Sequence, residues 1–184
     1  MYYVVTYNGH FGFIKPWTAV RDAETFSQQF LTPSIIEGIR QKLEVDKILR
    51  HRLTYKGVSG QQEVTQTRGW DYKKNQKVYR RYRSILTRGV LIEPTLYLAF
   101  ETEKDAVKAT KQHICLCRNE DVMLPEKKID VLTEEEFNKI NGFELRFGKS
   151  ENSFLVGYNR FKNGEPMFGW LESTNNPLKK YERF

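Results

Sequence analysis

Residues 76–100, QKVYRRYRSILTRGVLIEPTLYLAF, open as a cluster of arginines and tyrosines and close as an apolar run. Where the polar part ends and the core strand begins decides the fold. Residues 76 to about 88 read as the closing half of a projecting arm. Residues 89–100 read as the core strand to which the arm returns, broken at Pro94 because proline cannot donate to a ladder.

On the N-terminal side, KILRHRLTYKGV (47–58) alternates in character. Ile48, Arg50, Arg52 and Thr54 fall on one parity and Leu49, His51, Leu53 and Tyr55 on the other, which predicts a strand with one polar face. SGQQEVTQTRGW (59–70) reads as a turn and a short strand. Earlier, TPSIIEGIRQKLEV (32–45) carries a helix signal: Thr32 suits the N-cap and Pro33 the first helical position. Ile35, Ile36, Ile39 and Leu43 then recur at helical spacing. Gly38 inside that helix costs about 1 kcal/mol against alanine, and so predicts the close approach of another backbone. YYVVTYNGHFGF (2–13) is a β-rich strand interrupted by Gly9 and Gly12, followed by a mixed segment, KPWTAVRDAETFSQQF (15–30), that reads as an ordered loop.

On the C-terminal side, TEKDAVKATKQ (102–112) predicts a short helix and HICLCR (113–118) a strand. LTEEEFNKI (132–140) predicts a helix capped by Thr133, with Glu136 at the capping-box position. GFELRFG, SFLVGYNRF and EPMFGWLE predict three short strands separated by turns. The order is that of an α+β, ferredoxin-like (RRM-like) β-α-β-β-α-β core, with the basic arm inserted between core strands two and three. Residues 1–132 would form this domain, with the arm at about 58–88. Residues 133–184 would form a small helix and an antiparallel strand extension.

At 184 residues with 39% hydrophobic content the chain can bury a core of its own. The net charge is +7. Between Tyr72 and Ile92 stand Lys73, Lys74, Lys77, Arg80, Arg81, Arg83 and Arg88, with no Asp or Glu, so these seven cations equal the net charge of the whole chain. Tyr72, Tyr79 and Tyr82 are interleaved with them, and Arg68 and Trp70 stand just before. Cations for phosphates and aromatic faces for unstacked bases are the chemistry that holds single-stranded nucleic acid. A solvated hairpin would also tolerate such charges, but the absence of balancing acids favours nucleic-acid contact.

Other patterns carry less. His113, Cys115 and Cys117 share a parity, but ligands two apart on one strand surround zinc poorly and no second cysteine pair exists. Gly148-Lys149-Ser150 ends like a P-loop, yet Gly142 leaves five residues where the motif needs four. His10, His51 and His113 lie on three different elements. His51 with Tyr55 and Lys56, or His113 with Lys111, would be needed for a metal-independent ribonuclease. No cofactor is predicted. The N-terminus does not read as a signal peptide and no run reaches membrane-spanning length, which predicts a cytoplasmic protein without a membrane partner.

Three stretches together resemble the CRISPR-associated Cas-five family of the RAMP superfamily. FLTPSIIEGIRQKL is similar to its first helix and RGVLIEPTLYLAFET to its third core strand. HICLCRNEDVMLPEKKIDVL is similar to its fourth strand and the segment after it, with Cys117 where the family has a glycine before Arg118. The match covers residues 1 to about 132 and suggests a compact or divergent member. The resemblance implies a non-catalytic subunit of a Cascade-type effector complex that binds the 5′ handle of crRNA and caps the filament of backbone subunits. Its implied partners are crRNA, the backbone and large subunits, and target DNA. The implied RNA contacts are the arm residues named above and Arg118, with Arg40 and Lys42 of the first helix as lesser candidates. One branch of the family cuts precursor crRNA with a histidine near the third core strand; LYLAFETEK (96–104) has none, which argues against catalysis. The alternatives are that ribonuclease, or an RNA-binding module outside CRISPR or encoded by a phage.

Overall fold

The computed structural model describes residues 1–16, 23–66, 69–81, 83–159 and 162–175. In chain order they form β1 (Tyr2–Gly9), β2 (Phe11–Gly12), β3 (Glu24–Phe26), α1 (Pro33–Leu43), β4 (Ile48–Thr54), β5 (Gly57–Gln66), β6 (Asp71–Lys73) and β7 (Val78–Arg80). Then come β8 (Arg83–Ile92), β9 (Thr95–Phe100), α2 (Glu103–Ala109), β10 (Ile114–Cys115), β11 (Val122–Leu132), α3 (Glu134–Asn138), β12 (Gly142–Phe147), β13 (Phe154–Asn159) and β14 (Glu165–Thr174). This is a mixed α+β fold. Eight strands pair antiparallel in the order β10-β11-β1-β9-β4-β12-β14-β13.

Both long helices cover one face. Ile39 and Leu43 of α1 and Ala106 and Ala109 of α2 join Val5, Tyr7, Leu53, Leu98 and Phe100 in one buried cluster. The apolar stripe seeds α1, and Thr32 Oγ1 caps it by accepting from the Ile35 backbone N–H. Gly38 differs from expectation: a Cβ there would meet nothing within 4 Å, so no described backbone of this chain approaches it. On the opposite face Phe137 of α3 packs with Val4 and Ala99. Thr133 and Glu136 close the expected capping box at the start of that short helix.

Four further sequence expectations shift. The segment after Tyr55 is not a turn with a short strand but a ten-residue strand, β5. Its side chains are mostly polar, so no apolar alternation announces it; the ladder to β8 holds it. The core strand expected over 89–100 is only Thr95–Phe100, because Glu93 adopts φ 46° and with Pro94 turns the chain, leaving 89–92 to β8. The strand expected at 113–118 shrinks to Ile114–Cys115, since Arg118 and Asp121 tie the following residues into a turn. The strand that flanks β1 is β11, whose register slips between Val5 and Tyr7.

The fourth shift concerns the polar face of β4, which is buried. Arg50 and Arg52 lie beneath α3 and the C-terminal strands, with Arg52 wholly inaccessible. Glu144 accepts from Arg50 Nε at 2.6 Å and Nη2 at 2.8 Å, and Glu172 from Arg52 Nη2 at 2.7 Å. Arg146 and Glu134 complete a set of three cations and three carboxylates. β12 meets β4 at a single residue pair, Phe143 with Leu53. Side chains replace the rest of that ladder: the Leu145 N–H donates to His51 Nε2 and the His51 N–H to Glu144.

Candidate nucleic-acid interface

The connection from β4 to β9 is a long hairpin. β5 and β8 pair antiparallel over ten residues each, from Gly57 opposite Ile92 to Gln66 opposite Arg83, a shaft of about 33 Å at the ordinary strand rise. The shorter ribbon β6/β7 extends it, closed by a 3₁₀ turn over Lys74–Gln76 with Lys77 in the left-handed region at φ 48°.

The base of the arm is fixed to the body. Val90 and Leu91 are buried, β2 and β3 pair with β8, and the Phe26 ring lies against Gly89, where a Cβ would collide with it. Arg88 binds Glu63 of β5 at 2.5 Å and lies 5.3 Å over the Phe13 ring. Arg118 lies 5.6 Å over the same ring and chelates the buried Asp121 at 2.9 and 2.6 Å. The Asp121 hydrogen bonds raise the Arg118 pKa above its ordinary value, against a smaller opposing effect of burial. Arg88 and Arg118, both predicted to touch RNA, thus each hold an acidic partner and lie over the Phe13 ring.

The tip gathers the remaining candidates. Lys73, Lys74, Lys77, Arg80, Arg81 and Arg83 are exposed. Tyr72 and Tyr79 face each other across β6/β7, ring centroids 5.0 Å apart and tilted by 42°. Trp70, two residues before Tyr72, is 67% exposed and Tyr79 66%. By strand alternation the tyrosines occupy one face of the ribbon and Asp71, Lys73, Val78 and Arg80 the other. Stacking surface and phosphate-neutralising charge are therefore presented side by side in solvent. Arg68 and Tyr82 lie outside the described residues. Further along, Val64 stands opposite Ile85 with both exposed, an apolar pair that only the register reveals.

The other candidates are dispersed. Arg40 is bound by Glu37 and the Val45 carbonyl. Lys42 Nζ lies 3.4 Å from His113 Nε2. His51 is walled in: burial first, then the charges of Arg52 and Arg50, push its pKa down to about 3, and its ring accepts from Leu145. It has no access to a substrate. Gly148-Lys149-Ser150 sits in the turn between β12 and β13 rather than opening a helix. Among the described residues no group of three or more His, Cys, Asp or Glu is placed to hold a metal ion, and no helix is long and apolar enough to cross a membrane. No family model matches the chain, and no curated protein matches it significantly.

Proposed function

We propose that this protein is a non-catalytic, crRNA-binding subunit of a CRISPR Cascade-type effector complex, built on a ferredoxin-like core of the Cas-five kind. The arm grips the 5′ handle of the crRNA in the cytoplasm, and the body caps the filament of backbone subunits. Supporting the core assignment, the strand order β11-β1-β9-β4 with α1 and α2 on one face matches a β-α-β-β-α-β unit. The observation that carries the function is the arm between β4 and β9: six exposed cations beside an exposed tryptophan and a tyrosine pair. Base stacking on such side chains contributes about 1–3 kcal/mol each, and the cations supply the salt-dependent remainder.

Reversing Arg80, Arg81 and Arg83 to glutamate tests the reading. Handle RNA binding should weaken about 100-fold at moderate salt, and the slope of log affinity against log salt should fall by about 2 units, near 0.7 per lost phosphate contact. Unchanged affinity together with normal complex assembly would reject it. Cleavage of repeat RNA in EDTA that is lost on His113→Ala would replace it with the ribonuclease reading.

A further inference from the structure

Strand β5 forms one side of the arm shaft, and its outer edge is open. Among the described residues it pairs only with β8, in a ladder that runs from Gly57 to Gln66 without a register slip. β8 carries β2 and β3 on its other edge, so β5 is where this sheet ends. Its sequence, GVSGQQEVTQ, holds no lysine and no proline, and its one charge, Glu63, is bound by Arg88. Edge strands are ordinarily blunted by lysine, proline or a bulge, and a long regular edge without them is a template for another strand. The shaft also has an uncharged face. By alternation the pairs Val58–Leu91, Gly60–Gly89, Gln62–Thr87 and Val64–Ile85 share it, and Val58, Val64 and Ile85 on it are 48, 64 and 55% exposed.

We propose that a second copy of this chain occupies that edge, with β5 pairing antiparallel to β5 about a twofold axis through Gln61. A twofold normal to the sheet keeps each face on its own side, so only registers that pair residues of like parity are open. The register centred on Gln61 sets Val58 of each copy opposite Val64 of the other, Gly57 opposite Thr65, Ser59 opposite Glu63 and Gly60 opposite Gln62. Centred on Gly60, the strands would set Val58 against Gln62; centred on Gln62, they would set Val64 against Gly60. Centred on Glu63, they would set that carboxylate against its own copy. The Gln61 register pairs aliphatic with aliphatic and opposes no like charges. The existing pairs with β8 extend it into two rows of four aliphatic side chains across the joined sheet: Ile85 and Val64 of one copy, then Val58 and Leu91 of the other.

The antiparallel arrangement also suits the charge of the arm. It sends the two cationic tips to opposite ends of the shared ladder, about 30 Å apart at the ordinary strand rise. That is well beyond the roughly 8 Å over which exposed charges act at physiological salt. Pairing uses up the last open edge of this sheet, so the contact is isologous and closed and yields a dimer, not a fibre. A single strand-to-strand contact belongs to the small class of interfaces, which sets a dissociation constant on the order of 10 μM.

Analytical ultracentrifugation of the full chain without RNA, from about 1 to about 200 μM, should show the mass moving from monomer to dimer. Omitting RNA keeps the outcome independent of what the tip binds. Val58→Lys with Val64→Lys, at two exposed positions, should leave a monomer throughout with an unchanged circular dichroism spectrum. Cross-linking tests the register separately. Directly opposed residues on antiparallel strands have Cα atoms about 4.5–5.5 Å apart, within reach of a disulfide. In a Cys115→Ser, Cys117→Ser background, Gln61→Cys should therefore link to its own copy under mild oxidation. Gln62→Cys, which faces Gly60 of the other copy, should not. A monomer at the highest concentration, a dimer indifferent to the paired lysines, or a Gln62→Cys link as strong as that of Gln61→Cys would overturn the proposal.

Discussion

Arg80, Arg81 and Arg83 of the arm and Arg50 and Arg52 of β4 are the same residue type in the same kind of region, and they are used in opposite ways. Those on the arm stand exposed at the end of a ribbon. The β4 pair is buried against Glu144 and Glu172, where charge serves to join the C-terminal strands to the core. What separates the two is the neighbours each strand acquires. β4 lies mid-sheet, with carboxylates delivered by β12 and β14 from about a hundred residues away in sequence. At the tip of the arm, β6 and β7 form a two-stranded sheet of their own among the described residues.

The largest effect should come from breaking the buried set. Glu144→Ala leaves Arg50 and Arg52 without their shared carboxylate, and an uncompensated buried charge costs about 3–5 kcal/mol. Denaturant unfolding should register that loss, and a loss below about 1 kcal/mol would mean that water or Glu134 and Glu172 make good the deficit.

A second effect arises at His51. Its pKa near 3 in the folded chain lies below the ordinary 6.5, so the unfolded chain takes up a proton that the folded one refuses. Stability from this group is complete above pH 6.5 and declines as pH falls, by about 1.4 kcal/mol per unit, until the folded value is reached. Glu172 adds to the loss at lower pH: burial raises its pKa, but the hydrogen bond from Arg52 and the charges of Arg52, Arg146 and Arg50 outweigh that and lower it. Between pH 6 and 5 the slope belongs to His51, and His51→Gln should flatten it; a slope that persists in that variant would place the proton elsewhere.

The smallest effect sharpens the contrast from the other side. Arg88→Ala should fall between the two extremes, near 1 kcal/mol, since it removes both the Glu63 ion pair and the contact with Phe13. The triple reversal of Arg80, Arg81 and Arg83 that tests the proposed RNA binding should move stability by no more than about 0.5 kcal/mol, as for other exposed positions. A large stability loss from the triple reversal would show that the tip is part of the body after all.

Much of the molecule was legible along the chain, and the reason is locality. Thr32 and Pro33 announce α1 and Thr133 with Glu136 announces α3 through bonds made within one helical turn. Alternation marks β4, turn signals between short runs mark the three C-terminal strands, and the excess of cations without acids marks the arm. Other features needed partners far away in sequence. No local pattern distinguishes Arg50 and Arg52, buried, from Arg81 and Arg83, exposed. Nothing local shows that Arg118 pairs with Asp121, Arg88 with Glu63, or that both lie over Phe13.

By itself, then, the sequence determined the helices, the α+β class and the place of the basic, aromatic arm, because capping, periodicity and charge density are properties of neighbouring residues. Only the tertiary structure decided which cations stand in solvent and which are buried, and that the core strand begins at Thr95. Those outcomes depend on strand order and register, which are set by long-range pairing and burial, and a one-residue shift in register exchanges the inside of a sheet for the outside.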